Sequence, residues 1–248
     1  MAAQQPLSKI ALTGFGFALL GTVMTVASGF GHRVGVWHFS TGFAVLKWGA
    51  VIALAGLVVS LAGWYFTRVR KTKRGGVLAM SGVVIAIATV TPPLYWMEMA
   101  KSVPRIHDIT TDIQNPPEFV EILPLRQGAP NSATYGGAEI ARLQKQAYPQ
   151  IKPLEVSAPK PRVFNAALAV AHDLGWVVIA DDADQGRIEA TDTTFWFGFK
   201  DDVVIRITAL ANDTRVDVRS LSRVGLSDVG TNAKRISTFL NDLKAALE

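Results

Sequence analysis

No Asp or Glu occurs before Glu98, while the same stretch holds Lys9, Arg33, Lys47, Arg68, Arg70, Lys71, Lys73 and Arg74. A water-soluble surface mixes both signs of charge, so this segment is not built for water. It contains three uncharged apolar runs, Ile10–Phe30, Trp48–Phe66 and Gly75–Trp96, the last interrupted by Pro92-Pro93. Each reaches the roughly 20 residues that cross a bilayer. None carries the polar stripe of a soluble core helix, and nothing else in the chain is large enough to bury them.

The charge split also disposes of the overall +5. Of the 25 basic residues, 17 lie beyond position 96 against all 20 acidic ones, leaving that part at −3. Such a domain has no footprint for a phosphate backbone, which excludes nucleic acid as a partner. The absence of cysteine removes disulfides, thiolate metal sites and thiol nucleophiles.

The loop Thr67–Arg74 has five positive charges and no negative one. The positive-inside rule makes it cytoplasmic, with the N-terminus on the same side and everything after Trp96 outside. Trp48 and Tyr95-Trp96 then fall at the outer interface and Trp64-Tyr65 at the inner one. Thr25-Val26-Ala27 has the small residues of a signal-peptide cleavage site, but the apolar run is too long and the preceding basic region too sparse for that pattern. Small residues recur along the second span at Gly49, Ala53, Gly56, Ser60 and Gly63, and along the third at Ala79, Gly82, Ala86 and Thr89. Such seams let backbones approach. The reading we favour is that the two seams face each other within one small bundle; the alternative is that the second docks on a foreign membrane subunit. With no Asp, Glu or His inside a span, a proton relay has no support.

Nine of the twelve prolines fall between Pro104 and Pro161. Residues 98–160 therefore read as an extended segment with one short helix near 138–147, too apolar at Ile106, Ile109, Phe119 and Ile122 to be a free linker. From 161 the pattern is helix, four strands and helix. Val163, Ala167, Val170 and Leu174 form a helical stripe ended by Gly175, and Ala233, Ile236, Leu240 and Leu243 form another with Asp228 as N-cap. The expectation is an α+β protein: a three-helix membrane anchor over 1–97, then a two-layer domain whose four-stranded antiparallel sheet is packed by two helices.

Pairing the strands places Ile207 opposite Val218 and Ala209 opposite Val216 on the helix-covered face. The same register sets Arg206 opposite Arg219, with Phe195 beside Arg206 and Phe197 beside Val204, on the other. Like charges opposite one another need a neutralising partner. One reading is a shallow site for an anion, a lipid head group or an acidic peptide. The other, which we favour, has the Pro-rich segment cover that face, with Glu118 and Glu121 pairing the arginines.

His107, Asp108 and Asp112 lack the spacing of a metal site, and the Asp182–Gly186 turn lacks a calcium loop's final carboxylate. No cofactor or metal is expected. His172 reads as a helix-terminal charge. No nucleophile-elbow, zincin, phosphate-loop or dinucleotide motif occurs.

Several separated motifs occur in order: IHDITTD (106–112), PPEF (116–119), Ala147-Tyr148-Pro149, Gly175-Trp176, IEATDTTFWFGFKDDVVIRI (188–207), RVDVRS (215–220), SRVG (222–225) and Ser227–Leu240. Over residues 104–247 the chain resembles the family known as domain of unknown function 1499. The resemblance implies a bacterial envelope protein with membrane spans ahead of the domain, and carries no catalytic residues. It singles out Arg206, Arg219, Arg223, Asp201, Asp202 and Asp228, which with Phe195 and Phe197 make up the candidate ligand-binding set. The function expected is that of an inner-membrane protein, N-terminus cytoplasmic and C-terminal domain periplasmic. It would contact membrane lipid and either bind an envelope component or serve as an accessory subunit of a membrane complex. The alternative is a membrane-tethered hydrolase using Asp201, Asp202 and Asp228.

Overall fold

The computed structural model describes residues 5–71 and 73–248, so Thr72 of the basic loop lies outside the described residues. The chain forms two compact units. One holds the described residues up to Met99 together with Phe195–Gly198; the other holds Ala100–Thr194 and Phe199–Glu248.

In the first unit, α1 (Lys9–Arg33), α2 (Phe39–Trp64) and α3 (Gly76–Ser102) are all long and apolar enough to cross a membrane. Their packing is inverted relative to a soluble protein. The buried positions of α1 are Ala11, Gly14, Ala18, Gly21, Thr25, Ser28, Gly29 and Gly31, whereas Phe17, Leu20 and Val23 face outward. Where lipid surrounds the helices, close backbone approach rather than apolar burial drives association. The seam of α2 meets α1: a methyl group on Gly56 would stand 2.5 Å from the Ala18 backbone nitrogen, and one on Gly21 2.6 Å from that of Ala53. Gly49, Ala53, Gly56, Ser60 and Gly63 are therefore filled by the chain's own first helix, whose matching small-residue stripe the expectation of paired second and third seams overlooked. Gly82 of α3 does approach Ser60, together with Phe15 of α1.

Pro92-Pro93 does not break α3, which continues to Ser102. Proline's φ suits a helix. Thr89 and Thr91 donate to the carbonyls of Ile85 and Ile87, both at 2.8 Å. After Trp64 the second helix widens into a π turn over Tyr65–Val69, where Thr67 donates to the Gly63 carbonyl at 2.8 Å. At that end the Ser8 amide donates to the Arg74 carbonyl and the Arg74 amide to that of Pro6, so the N-terminal segment and the basic loop share one end of the bundle.

The second unit contains β1 (Asp108–Thr110), α4 (Gly137–Ala147), β2 (Leu154–Val156), α5 (Lys160–Asp173), β3 (Val177–Asp182), β4 (Arg187–Thr193), β5 (Lys200–Ala209), β6 (Thr214–Ser222) and α6 (Thr231–Leu247). The sheet is antiparallel with six strands, not four. Its order is β1-β6-β5-β4-β3, and β2 shares the outer edge of β6 with β1. The two extra strands are three residues each and come from the Pro-rich region, too short to show a period of two. The side-chain amide of Gln144 pairs with both backbone groups of Thr110, at 3.0 and 2.6 Å, covering the edge of β1.

One face of the sheet, through Ile188, Ala190, Val203, Ile205, Ile207, Val216 and Val218, shares a single core with Val163, Phe164 and Val170 of α5 and Ile236, Phe239 and Leu243 of α6. Trp176 stacks on Phe239 at 5.3 Å. Gly175, at φ +77°, supplies the left-handed turn after α5 that a side chain would strain.

The register differs from the expected one by two residues. Ile207 lies opposite Val216, Arg206 opposite Asp217 and Val204 opposite Arg219. A shift of two keeps every side chain on its face, so the face assignment holds while each partner changes. Arg206 meets a carboxylate instead of Arg219. The hairpin before it also differs: β4 ends at Thr193, Lys200 and Asp201 are in β5, and Thr194–Phe199 forms the connection. Phe195 and Phe197 thus leave the sheet. Their alternation in TFWFGF imitates a strand, but Gly198 at φ +69° bends the chain away.

Candidate functional site

The second face of the sheet carries Glu189 and Thr191 from β4, Asp202, Val204 and Arg206 from β5, and Asp217, Arg219 and Leu221 from β6. Residues 111–135 lie across it. Phe119 and Ile122 from this strap pack on Val204 and Leu221 in a small second core. The strap is stitched down at both ends. The Thr111 amide donates to the Val218 carbonyl and the Val218 amide to Thr111 Oγ1, each at 2.9 Å. Asn131 Nδ2 donates to the carbonyls of Ser222 and Gly225 at 3.0 and 2.9 Å.

The arginines on this face are engaged by carboxylates. Arg219, 2% exposed, forms a two-pronged pair with Asp108 at 2.9 and 2.8 Å and donates further to the carbonyls of Pro117 and Ala133. Its guanidinium lies 5.1 Å from the centre of the Phe119 ring and 5.5 Å from that of Tyr135. Arg223 binds Asp202 through two bonds at 2.9 and 2.8 Å, and Arg126 from the strap binds the same carboxylate. Arg206 and Arg215 share Asp112 and Asp217. Glu118 and Glu121, the expected neutralising acids, are exposed; Asp108 and Asp112 take that role from the unit's early residues.

Charge states follow these contacts. Burial tends to raise Asp112, but amide donors from Asn115 and Gln114 and the cations Arg215 and Arg206 together hold it below its ordinary 3.8. Burial lowers the pKa of Arg126 despite the bond to Asp202. The side-chain bond to Asp217 raises that of Arg215. Burial, with Asp108 nearby, pushes the Tyr135 phenol up to about 12, and burial beside Asp228 does the same for Tyr148. Both phenols stay protonated near neutrality and have no role there as bases.

Sequence reasoning missed Glu189. Its carboxylate, fully buried, accepts the amides of Val120, Glu121 and Ile122 at 2.9–3.2 Å and lies 3.1 Å from Arg187 Nε. It caps the turn that leads into the 3₁₀ helix Leu123–Arg126. An acid flanked by Ile188 and Ala190 in an otherwise core-like strand was the available signal.

The three candidate carboxylates do not converge on one point: Asp201 and Asp228 interact, and Asp202 is set apart from them. Asp201 and Asp202 are consecutive in β5 and point to opposite faces. Asp201 binds Arg235 of α6, which also holds Asp192 directly across from it, both at 2.7 Å; one cation thus neutralises two opposed acids. Asn232 completes this cluster, accepting from Ser220 and Arg235 and donating to Ser222 Oγ and the His107 carbonyl. Asp228 accepts the amides of Gly230 and Asn232 at 2.8 and 2.9 Å and so caps α6 from before its formal N-cap, Gly230. Burial raises its pKa above the usual carboxylate value, with Asp201 adding to the shift. Val229 between them sits at φ +54°, a costly conformation for a β-branched residue, which the cap holds in place. Next to the Arg235 cluster an open cleft of about 230 Å³ is lined by Leu174, Trp176, Asp192, Thr231, Lys234 and Thr238. Phe195 and Phe197 belong with the helices of the first unit.

The model of the family described as protein of unknown function DUF1499 matches residues 108–243, more than half of the 248 residues. The chain belongs to this family. The match begins at Asp108, the partner of Arg219, and runs through Leu243 of the core, so the family domain takes in strap, sheet and both covering helices. Three apolar helices precede it here. No curated protein gives a significant match to the chain.

Proposed function

We propose that this is a non-enzymatic inner-membrane protein of the bacterial cell envelope. Its helices anchor it, and its α+β domain, on the periplasmic side, binds an envelope component or serves as an accessory subunit of a membrane complex. The observation that carries this reading is the internal consumption of charge on the strap-covered face. Arg206, Arg219 and Arg223 are bound to carboxylates of the same domain, and Phe119 and Ile122 fill the space where a groove would be. A buried, saturated network of this kind favours a fixed scaffold over a reactive site. The hydrolase alternative needs convergent carboxylates, and Asp201 and Asp202 diverge. Binding is then assigned to the outer surfaces, with membrane lipid as the contact of the helices. The side of the membrane rests on the five positive charges between Arg68 and Arg74.

Full-length protein extracted in mild detergent and analysed by mass spectrometry should retain a stoichiometric lipid or protein component. Hydrolysis of an ester or phosphoester probe that vanishes in Asp228→Asn would overturn the non-enzymatic reading. A reporter fused after Glu248 should be active outside the cytoplasm; activity only within it would reverse the orientation.

A further inference from the structure

Four residues of the β4–β5 connection, Phe195–Gly198, belong to the helical unit. Trp196 Nε1 donates to the Val26 carbonyl of α1 at 3.0 Å. Gly29 is what admits the indole, since a Cβ there would stand 2.5 Å from Trp196 Cδ1. Phe197 is buried, 4.9 Å centre to centre from Phe43 of α2, with Gly42 close beside its ring. Phe195 meets Phe30 edge-on at 5.6 Å, and the Arg33 guanidinium lies 5.9 Å from the centre of its ring, yet Phe195 remains 78% exposed.

Helix geometry turns these contacts into depths. The 25 residues of α1 span about 37 Å at 1.5 Å per residue. A hydrocarbon core of about 30 Å, centred between the charged ends Lys9 and Arg33, has its boundary about 4 Å inside each end. Val26 is seven residues from Arg33, about 10 Å along the axis, and Phe30 is three residues, about 4–5 Å. The Trp196 indole thus bonds a carbonyl below the boundary, where no water offers a partner, and Phe195 lies at the boundary beside Phe30.

We propose that Phe195-Trp196-Phe197 is a lipid-embedded wedge: Trp196 and Phe197 lock into α1 and α2, and the Phe195 ring contacts the acyl chains and head-group boundary of the surrounding bilayer. The occupant of its exposed surface is membrane lipid, because that surface continues the outward apolar belt of α1. Aromatic rings at this level are the usual anchors of membrane interfaces. This goes beyond the assignment of the domain as a binding or accessory unit and stands without it.

The chain has no cysteine, so one introduced at position 195 can be labelled without background. Full-length Phe195→Cys carrying a nitroxide, in phosphatidylcholine vesicles, should collide more with oxygen than with a water-soluble nickel chelate, as Val23→Cys on the outer face of α1 does. Gln185→Cys at the β3–β4 turn is the aqueous reference. Nickel accessibility at 195 equal to that at 185 overturns the proposal. Phe195→Trp, which keeps a ring, should show quenching by acyl-brominated phosphatidylcholine beyond that of the native tryptophans; the absence of added quenching also overturns it.

Discussion

The two faces of one sheet are held mainly by different means, the Arg235 cluster on the helix side and the small apolar core under the strap being the exceptions. Toward α5 and α6, Ile188, Ile205, Ile207 and Val218 are buried by apolar contact with helices. Toward the strap, Asp202, Asp217, Arg219 and Glu189 are equally hidden but joined by directed bonds. Apolar packing tolerates a change of volume by partial collapse, whereas a buried ion pair that loses one member leaves a charge with nowhere to go. The strap-covered face therefore specifies its partners more strictly than the helix-covered face.

The sharpest way to break that comparison is Arg219→Ala. It strands Asp108 and should cost about 3–5 kcal/mol in chemical denaturation of the full-length protein. The pair Asp108→Leu with Arg219→Met should recover most of that loss, because two apolar groups replace two charges. A double variant as unstable as the single one would show that the strap, not the charge balance, was lost. On the other face, Ile205→Ala should cost about 2–5 kcal/mol by cavity formation, with no rescue from a second substitution to a polar group.

Both faces were partly legible beforehand. Period-two alternation assigned Ile207, Val216 and Val218 to one side and Arg206 and Arg219 to the other, and a two-residue slip leaves that assignment intact. The same invariance hid the pairing: alternation does not distinguish Arg206 opposite Arg219 from Arg206 opposite Asp217. The partners of the candidate arginines were hidden for that reason. The arginines were correctly grouped by face, but the acids that saturate them lie 111 residues away for Arg219 and 94 and 11 residues away for Arg206. Phe195 and Phe197 were misplaced because a loop packed in apolar surroundings alternates like a strand. The three long apolar helices were the most legible element, since uncharged length is itself the signal.

A smaller effect is expected at Glu189. Replacing it with Gln retains shape but exchanges one acceptor for a donor facing the amides of Val120–Ile122. The cost should be about 1–3 kcal/mol, and hydrogen exchange should speed up at those three amides first. If the whole strap exchanges together, the comparison sharpens: the face is a single cooperative patch.

The smallest effects are in pH dependence, and they have opposite signs. Asp112 is held below 3.8, so its contribution is fully present above that value and is lost as pH falls through its lower folded value. Asp228 is raised, so burial costs nothing while both states are protonated; the cost grows as pH rises above 3.8 and levels off beyond its folded value. Urea midpoints should accordingly fall less steeply with acid in Asp112→Asn, and decline less on the alkaline side of 3.8 in Asp228→Asn. An unchanged profile in either variant would remove that residue from the electrostatic account.

The strap has a further consequence for how the chain comes to be folded. Asp108 and Asp112 leave the ribosome long before Arg215 and Arg219, and Val120 long before Glu189. Until β6 has been made, Asp108 lacks Arg219, Asp112 has Arg206 without Arg215, and the strap lacks the part of its floor that Leu221 supplies. Closing such distant contacts is slow. The last strand to be synthesised thus decides when the first part of the domain stops being open to proteases, chaperones or wrong partners. A chain halted before Arg215 would expose the very surface that the finished domain conceals.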